Sequence, residues 1–153
     1  MLRRLHYPTP RVFAGTSLRR VASACIDISD GLLADIKHIL NASQCGACLQ
    51  LDKLPLSKAM LESVDRDAAF HYALSSGDDY ELLFTVSEEQ KNNVERVLAC
   101  SNVPATCIGQ INGAVGKIDL KLNDESYAYS QTGFEHFNSA ELTKEQSNQA
   151  KRA

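Results

Sequence analysis

The hydrophobic period of the chain changes near residue 30. Ala22-Ser23-Ala24-Cys25-Ile26-Asp27-Ile28 is a small-and-apolar run of strand length, and its apolar character predicts a buried strand. Asp30-Gly31 breaks that run. Leu32, Leu33, Ile36, Ile39 and Leu40 then recur at the spacing of one buried helical face, so the segment reads as strand, turn and helix.

The same pattern predicts the other elements. A short helix is expected from Pro10 to about Leu18, a strand over 46–51, and a helical region in pieces from Pro55 to about Leu74, stopped by Gly77. Residues 80–86, Tyr-Glu-Leu-Leu-Phe-Thr-Val, form the strongest strand signal, rich in aromatic and branched side chains. Ser87-Glu88-Glu89-Gln90 reads as a capping box ahead of a helix that buries Val94, Val97 and Leu98. Two further strands are expected over 105–108 and 117–122, separated by Gly109-Gln110-Ile111-Asn112-Gly113, whose Asn-Gly pair signals a turn. Strands and helices interleaved in this order place the chain in the α+β or α/β class.

Length and composition narrow the function classes. A chain of 153 residues is enough for one domain with a real core, and 44% hydrophobic against 23% charged residues is the balance of an ordered globular protein. With Lys+Arg 16 against Asp+Glu 19 there is no basic surplus to displace phosphate counterions, so no nucleic-acid partner is expected. No run approaches the ~18–20 apolar residues that span a bilayer, and MLRRLHYPTPRV lacks a signal-peptide stretch, so no membrane contact and a cytoplasmic location are expected. Cys25, Cys45, Cys48, Cys100 and Cys107 are odd in number and scattered, which suits free thiols. The prolines of Tyr7-Pro8-Thr9-Pro10 make residues 1–10 read as a linker from a preceding domain. Residues 11–137 then form the domain, and 138–153, nearly devoid of large apolar residues, a polar tail.

Candidate chemistry sits in three places. Ile26-Asp27-Ile28-Ser29-Asp30-Gly31 puts two carboxylates and a hydroxyl where a strand turns into a helix. Amides at a helix start can hold a phosphate oxygen, Ser29 can donate to it, and Asp27 and Asp30 are hard oxygen donors for Mg²⁺. The plainer reading is that Asp30 caps the helix and Asp27 is hydrogen-bonded in a turn. Gly77-Asp78-Asp79-Tyr80-Glu81 crowds three acids, a repulsion that a cation, a bound amine or a protein Arg would relieve, unless the acids simply face solvent in a turn. Gly133-Phe134-Glu135-His136-Phe137 reads as an apolar patch closing the core or as a ligand-stacking segment. No P-loop, dinucleotide-binding glycine pattern, nucleophile elbow or HExxH motif is present.

Taken together, Ala22 to Leu32, Gly77 to Thr85 and Gly133 to Phe137 resemble the C-terminal half of thiamine-monophosphate kinase, over about residues 6–137. The resemblance implies an α+β fold like the C-terminal domain of aminoimidazole ribonucleotide synthetase, a layered mixed sheet with helices. It implies transfer of the ATP γ-phosphate to thiamine monophosphate, with ATP and Mg²⁺ bound between this half and a missing N-terminal domain, in a homodimer. By the same resemblance Asp27 and Asp30 are magnesium ligands and Ser29 an ATP contact. Asp78 meets the substrate where many relatives carry Glu, and Phe134 meets it where Trp or Tyr is common. No general base is implied, since the acceptor is already an anionic phosphate, and the chain alone is expected to be inactive. Another ATP-dependent enzyme of the same superfamily, a self-contained metal-dependent phosphohydrolase and a non-catalytic binding module are the competing expectations.

Overall fold

The structure, a computed structural model, describes residues 6–129. The Gly133–Phe137 segment with Phe134, and the polar tail, lie outside the described residues. The elements run α1 (Val12–Leu18), β1 (Ala22–Asp27), α2 (Leu32–Ser43), β2 (Gly46–Gln50), α3 (Lys58–Ser63), α4 (Arg66–Ser75), β3 (Leu82–Val86), α5 (Lys91–Leu98), β4 (Gly109–Asn112), β5 (Ile118–Leu122) and β6 (Glu125–Ser126). The interleaved helices and mixed strands are the α+β fold expected. No described helix is long and apolar enough to cross a membrane.

The strands form two sheets. β1 and β3 make an antiparallel ribbon, and β4-β2-β5-β6 make a four-stranded sheet in which β2 runs parallel to β5 and antiparallel to β4. The main core packs the predicted face of α2 (Leu32, Leu33, Ile36, Ile39, Leu40) against Leu49 of β2, Leu120 of β5, and Phe70 and Leu74 of α4. Phe70 is 1% exposed and Leu74 is 0%, so α4 is anchored by its own apolar stripe. A second cluster joins Ala14 and Leu18 of α1 to Val94 and Leu98 of α5. The ribbon divides the two because successive side chains leave a strand on opposite faces. Leu83 goes into the main core, while Leu82, Phe84 and Val86 lie against the second cluster.

Three local expectations are corrected. β1 is not a buried strand: Ser23, Cys25 and Asp27 are exposed, and only the residues between them are partly covered. Its small side chains offer little area to bury, and β3 is its sole partner among the described residues. The strand placed over 105–108 lies instead at Gly109–Asn112, paired with β2 from Leu49↔Gly109 to Gly46↔Asn112. Pairing with a central strand outweighs local β-propensity there. The Asn-Gly turn follows it, with Asn112 Oδ1 accepting from the Ala114 amide at 2.9 Å.

The capping box is the third correction. Ser87 makes no side-chain cap, and residues 88–90 form a single tight turn in which the Gln90 amide donates to the Ser87 carbonyl at 3.0 Å. Side-chain caps do form where the helical region divides: Ser57 Oγ accepts from the Met60 amide at 3.2 Å and Asp65 Oδ1 from Ala68 at 2.8 Å.

Candidate functional site

The two acidic segments, far apart in the chain, are one place in the structure. Ile28 donates its amide to the Glu81 carbonyl at 2.8 Å, and the Tyr80 amide donates back to the Ile28 carbonyl at 2.8 Å. The Asp78 amide adds a bond to the Ser29 carbonyl at 2.9 Å. These bonds continue the β1–β3 pairing past the ends of both strands, so Asp27 to Asp30 and Asp78 to Glu81 are held by backbone rather than by their charges.

Two glycines permit the close approach. Gly31 has φ +105°, and a Cβ there would lie 2.9 Å from Ser75 backbone carbons. Gly77 has φ +65°, and its Cβ would collide with the Ser29 carbonyl oxygen. Beyond Gly77, Asp78 (φ 59°) and Tyr80 (φ 50°) are also left-handed, conformations that cost non-glycine residues energy.

The Asp78 carboxylate contacts Tyr80 directly. The Tyr80 hydroxyl donates to Asp78 Oδ1 at 3.1 Å. The phenol is held above its ordinary range first by that hydrogen bond, then by the Asp78 charge, with partial desolvation and the charges of Asp27 and Asp30 adding to it. Asp78 acts on the phenol by contact, and Asp27 and Asp30 only through their charge. The Cys25 thiol, exposed at its surface but partly desolvated by its neighbours, is also pushed up, first by that desolvation and then by Asp27. Glu81 is the acid that a protein Arg relieves. Arg11 forks onto it, Nε to Oε2 at 2.9 Å and Nη2 to Oε1 at 2.8 Å, tying the start of α1 to the approach to β3.

The turn before α2 differs from expectation in one respect. The amides of Ser29 and Asp30 do not face outward toward a phosphate; both donate to Asp35 Oδ2, at 3.0 and 3.1 Å. The N-cap of α2 is Gly31, so Asp30 is not the helix cap. Asp35 went unnoticed in the sequence, yet it left a signal: an acid in the first helical turn, on the stripe shared with Leu32, Ile36 and Ile39. It is 2% exposed.

The donors suit a partial cation shell. Among the described residues no three His, Cys, Asp or Glu side chains gather closely enough to hold a metal ion between them. Mg²⁺ is commonly bound by one or two carboxylates, with water and phosphate oxygens filling the shell, and Asp27 and Asp30 offer that number and chemistry.

The family described as AIR synthase related protein, C-terminal domain, matches residues 7–121. The chain belongs to that family. Within it, the chain is 42% identical over 130 residues to thiamine-monophosphate kinase of Salmonella typhimurium, covering 85% of this chain and 40% of that protein. The Haemophilus influenzae thiamine-monophosphate kinase is 44% identical over 133 residues, again 40% of its length. Among solved structures, that of thiamine-monophosphate kinase from Stenotrophomonas maltophilia superposes with a TM-score of 0.73 at 41% identity, over 82% of this chain and 39% of that one. The structure described as "AaThiL complexed with AMPPCP and TMP" superposes at 0.69 with 29% identity, over 89% of this chain and 40% of that one. This AIR synthase related domain thus spans about 40% of the length of the curated relatives it matches.

Proposed function

We propose that this chain is the C-terminal part of an enzyme that transfers the γ-phosphate of ATP to thiamine monophosphate, yielding thiamine diphosphate and ADP. The observation that carries the reading is the joining of Asp27–Asp30 to Asp78–Glu81 by three backbone hydrogen bonds, in a chain 42% identical to a thiamine-monophosphate kinase. The complex of a relative with AMPPCP and TMP supports an ATP-like nucleotide and the thiamine phosphate as the two ligands.

In this reading Asp27 and Asp30 hold Mg²⁺, Ser29 meets ATP, and Asp78 and Phe134 meet the thiamine phosphate. Mg²⁺ would supply charge neutralisation between two polyanions. The chain's own residues position: the backbone bonds set the distance between the nucleotide side at Ser29 and the acceptor side at Asp78. The acceptor is an anionic phosphate oxygen, so no side chain need remove a proton, and in-line placement carries the rate. An N-terminal domain would complete the site, and exposed Val12 and Phe13 on α1 (69% and 58%) offer apolar surface for such a partner. Residues 1–10 as linker, 11–137 as the domain and 138–153 as tail, a homodimeric whole and a cytoplasmic setting belong to the same proposal.

The test joins this chain to the N-terminal part of the Salmonella relative in place of that protein's own C-terminal part. Given MgATP and thiamine monophosphate, the joined protein makes thiamine diphosphate and the chain alone does not. A folded joined protein that consumes ATP with some other acceptor, and makes no thiamine diphosphate, would overturn the substrate. Phosphate release from a simple ester by the chain alone would favour a self-contained phosphohydrolase.

A further inference from the structure

We propose that Asp35 is a positioning residue that fixes the Asp27–Asp30 turn in its working shape; the inference rests on the role given to that turn above. Asp35 sits in the first turn of α2, where a negative side chain meets the positive end of the helix. It is 2% exposed, and both of its side-chain hydrogen bonds are to backbone amides rather than to a cation. A carboxylate held there must be matched by donors, and the turn supplies them from the two residues whose side chains carry the proposed chemistry.

The consequence is a peptide pinned on both sides. The Ser29 amide is bound to Asp35 at 3.0 Å and its carbonyl to the Asp78 amide at 2.9 Å. Rotation of the Ser29 backbone would break one bond or the other. Asp30 is fixed by its own amide at 3.1 Å and by Gly31, which lies against Ser75. Asp35 thus acts through Ser29 and Asp30 and touches neither nucleotide nor acceptor.

Both hydrogen bonds end on the same oxygen, Oδ2. One acceptor in that position is therefore sufficient, and the amide oxygen of an asparagine can supply it. Asp35→Asn should preserve the turn, whereas Asp35→Leu, of the same branched outline with larger methyl ends, leaves two amides with no acceptor.

The experiment uses the 153-residue chain labelled with ¹⁵N. Amide hydrogen exchange reads the turn directly, and line broadening by Mn²⁺ reads cation capture at 27–30. In Asp35→Leu, exchange at Ser29 and Asp30 should rise about tenfold or more while β2 and β5 stay unchanged, and broadening should need about fivefold more Mn²⁺. Asp35→Asn should remain within about twofold of the parent in both. An Asp35→Leu chain with parental exchange, or an Asp35→Asn chain as disturbed as the leucine variant, would overturn the positioning role. If the leucine variant does not fold, Asp35→Ala, which admits water to the vacated space, carries the same expectations. Parental chain that shows no broadening at 27–30 counts against the metal reading of Asp27 and Asp30, and the exchange comparison still decides Asp35.

Discussion

Replacing Gly77 by Ala strikes the contact that makes two acidic turns into one site. At φ +65° a side chain is strained by about 1–2 kcal/mol before any neighbour is considered. The new methyl would also run into the Ser29 carbonyl oxygen and lie 3.1 Å from Asp30 Cα and 3.2 Å from its carbonyl carbon. All three are backbone atoms, so no flexible side chain can swing aside. Relief requires the turns to part, which sacrifices at least the 2.9 Å bond from the Asp78 amide to Ser29, a net loss of about 1 kcal/mol. The expected destabilisation is about 3 kcal/mol, or roughly a 10 °C fall in melting temperature for a domain of this size.

Thermal and urea unfolding followed by circular dichroism measure it, with Gly113→Ala as the control. Nothing lies within 4 Å of a Cβ at Gly113, so that change should stay within about 0.5 kcal/mol of the parent. Equal stabilities for the two alanine variants would refute the close-approach reasoning. Amide exchange at Asp78 should accelerate in Gly77→Ala alone.

Two other perturbations test the electrostatics. The Arg11–Glu81 fork has ideal geometry but side chains 23% and 39% exposed, so a double-mutant cycle with Arg11→Met and Glu81→Gln should give only about 0.5–1 kcal/mol of coupling, shrinking in high salt. A coupling near zero at low salt would show that the fork holds nothing. The Tyr80 phenol should ionise above its ordinary value of 10.0, read from its ring ¹³C shift against pH, and Asp78→Asn should bring it down. Because the folded state keeps this proton after the unfolded chain has lost it, Tyr80 makes stability fall as pH rises beyond the ordinary phenol range. An unshifted Tyr80 titration in the Asp78→Asn chain would place the cause elsewhere.

Much of the scaffold was legible from local pattern. The α2 stripe from Leu32 to Leu40 sits where periodicity places it, and the strand expected over 80–86 from its aromatic and branched residues forms over 82–86, since both signals act within a few residues. The expectation of a buried β1 fails because its small residues look apolar in a row while every second one faces solvent. Its alternation of Ser23, Cys25 and Asp27 with Ala24 and Ile26 already carried the exposed face. β4 was placed four residues early because its position follows the register with β2, a partner some sixty residues away, and not its own side chains.

The site divides along the same line. The sequence by itself determined which groups are available: carboxylates and a hydroxyl at a strand-to-helix turn, three acids beside a glycine, and glycines at the two positions that later prove to need them. Tertiary structure alone decided that Asp27, Asp30 and Asp78 share one field at Tyr80, that Arg11 is the cation relieving Glu81, and that the Ser29 and Asp30 amides turn inward to Asp35. The physical reason is range. Periodicity and capping act between neighbours in the chain, whereas hydrogen bonds and charges act across a few ångströms of space, and only the folded path of the backbone brings residue 81 to residue 11 or residue 78 to residue 29.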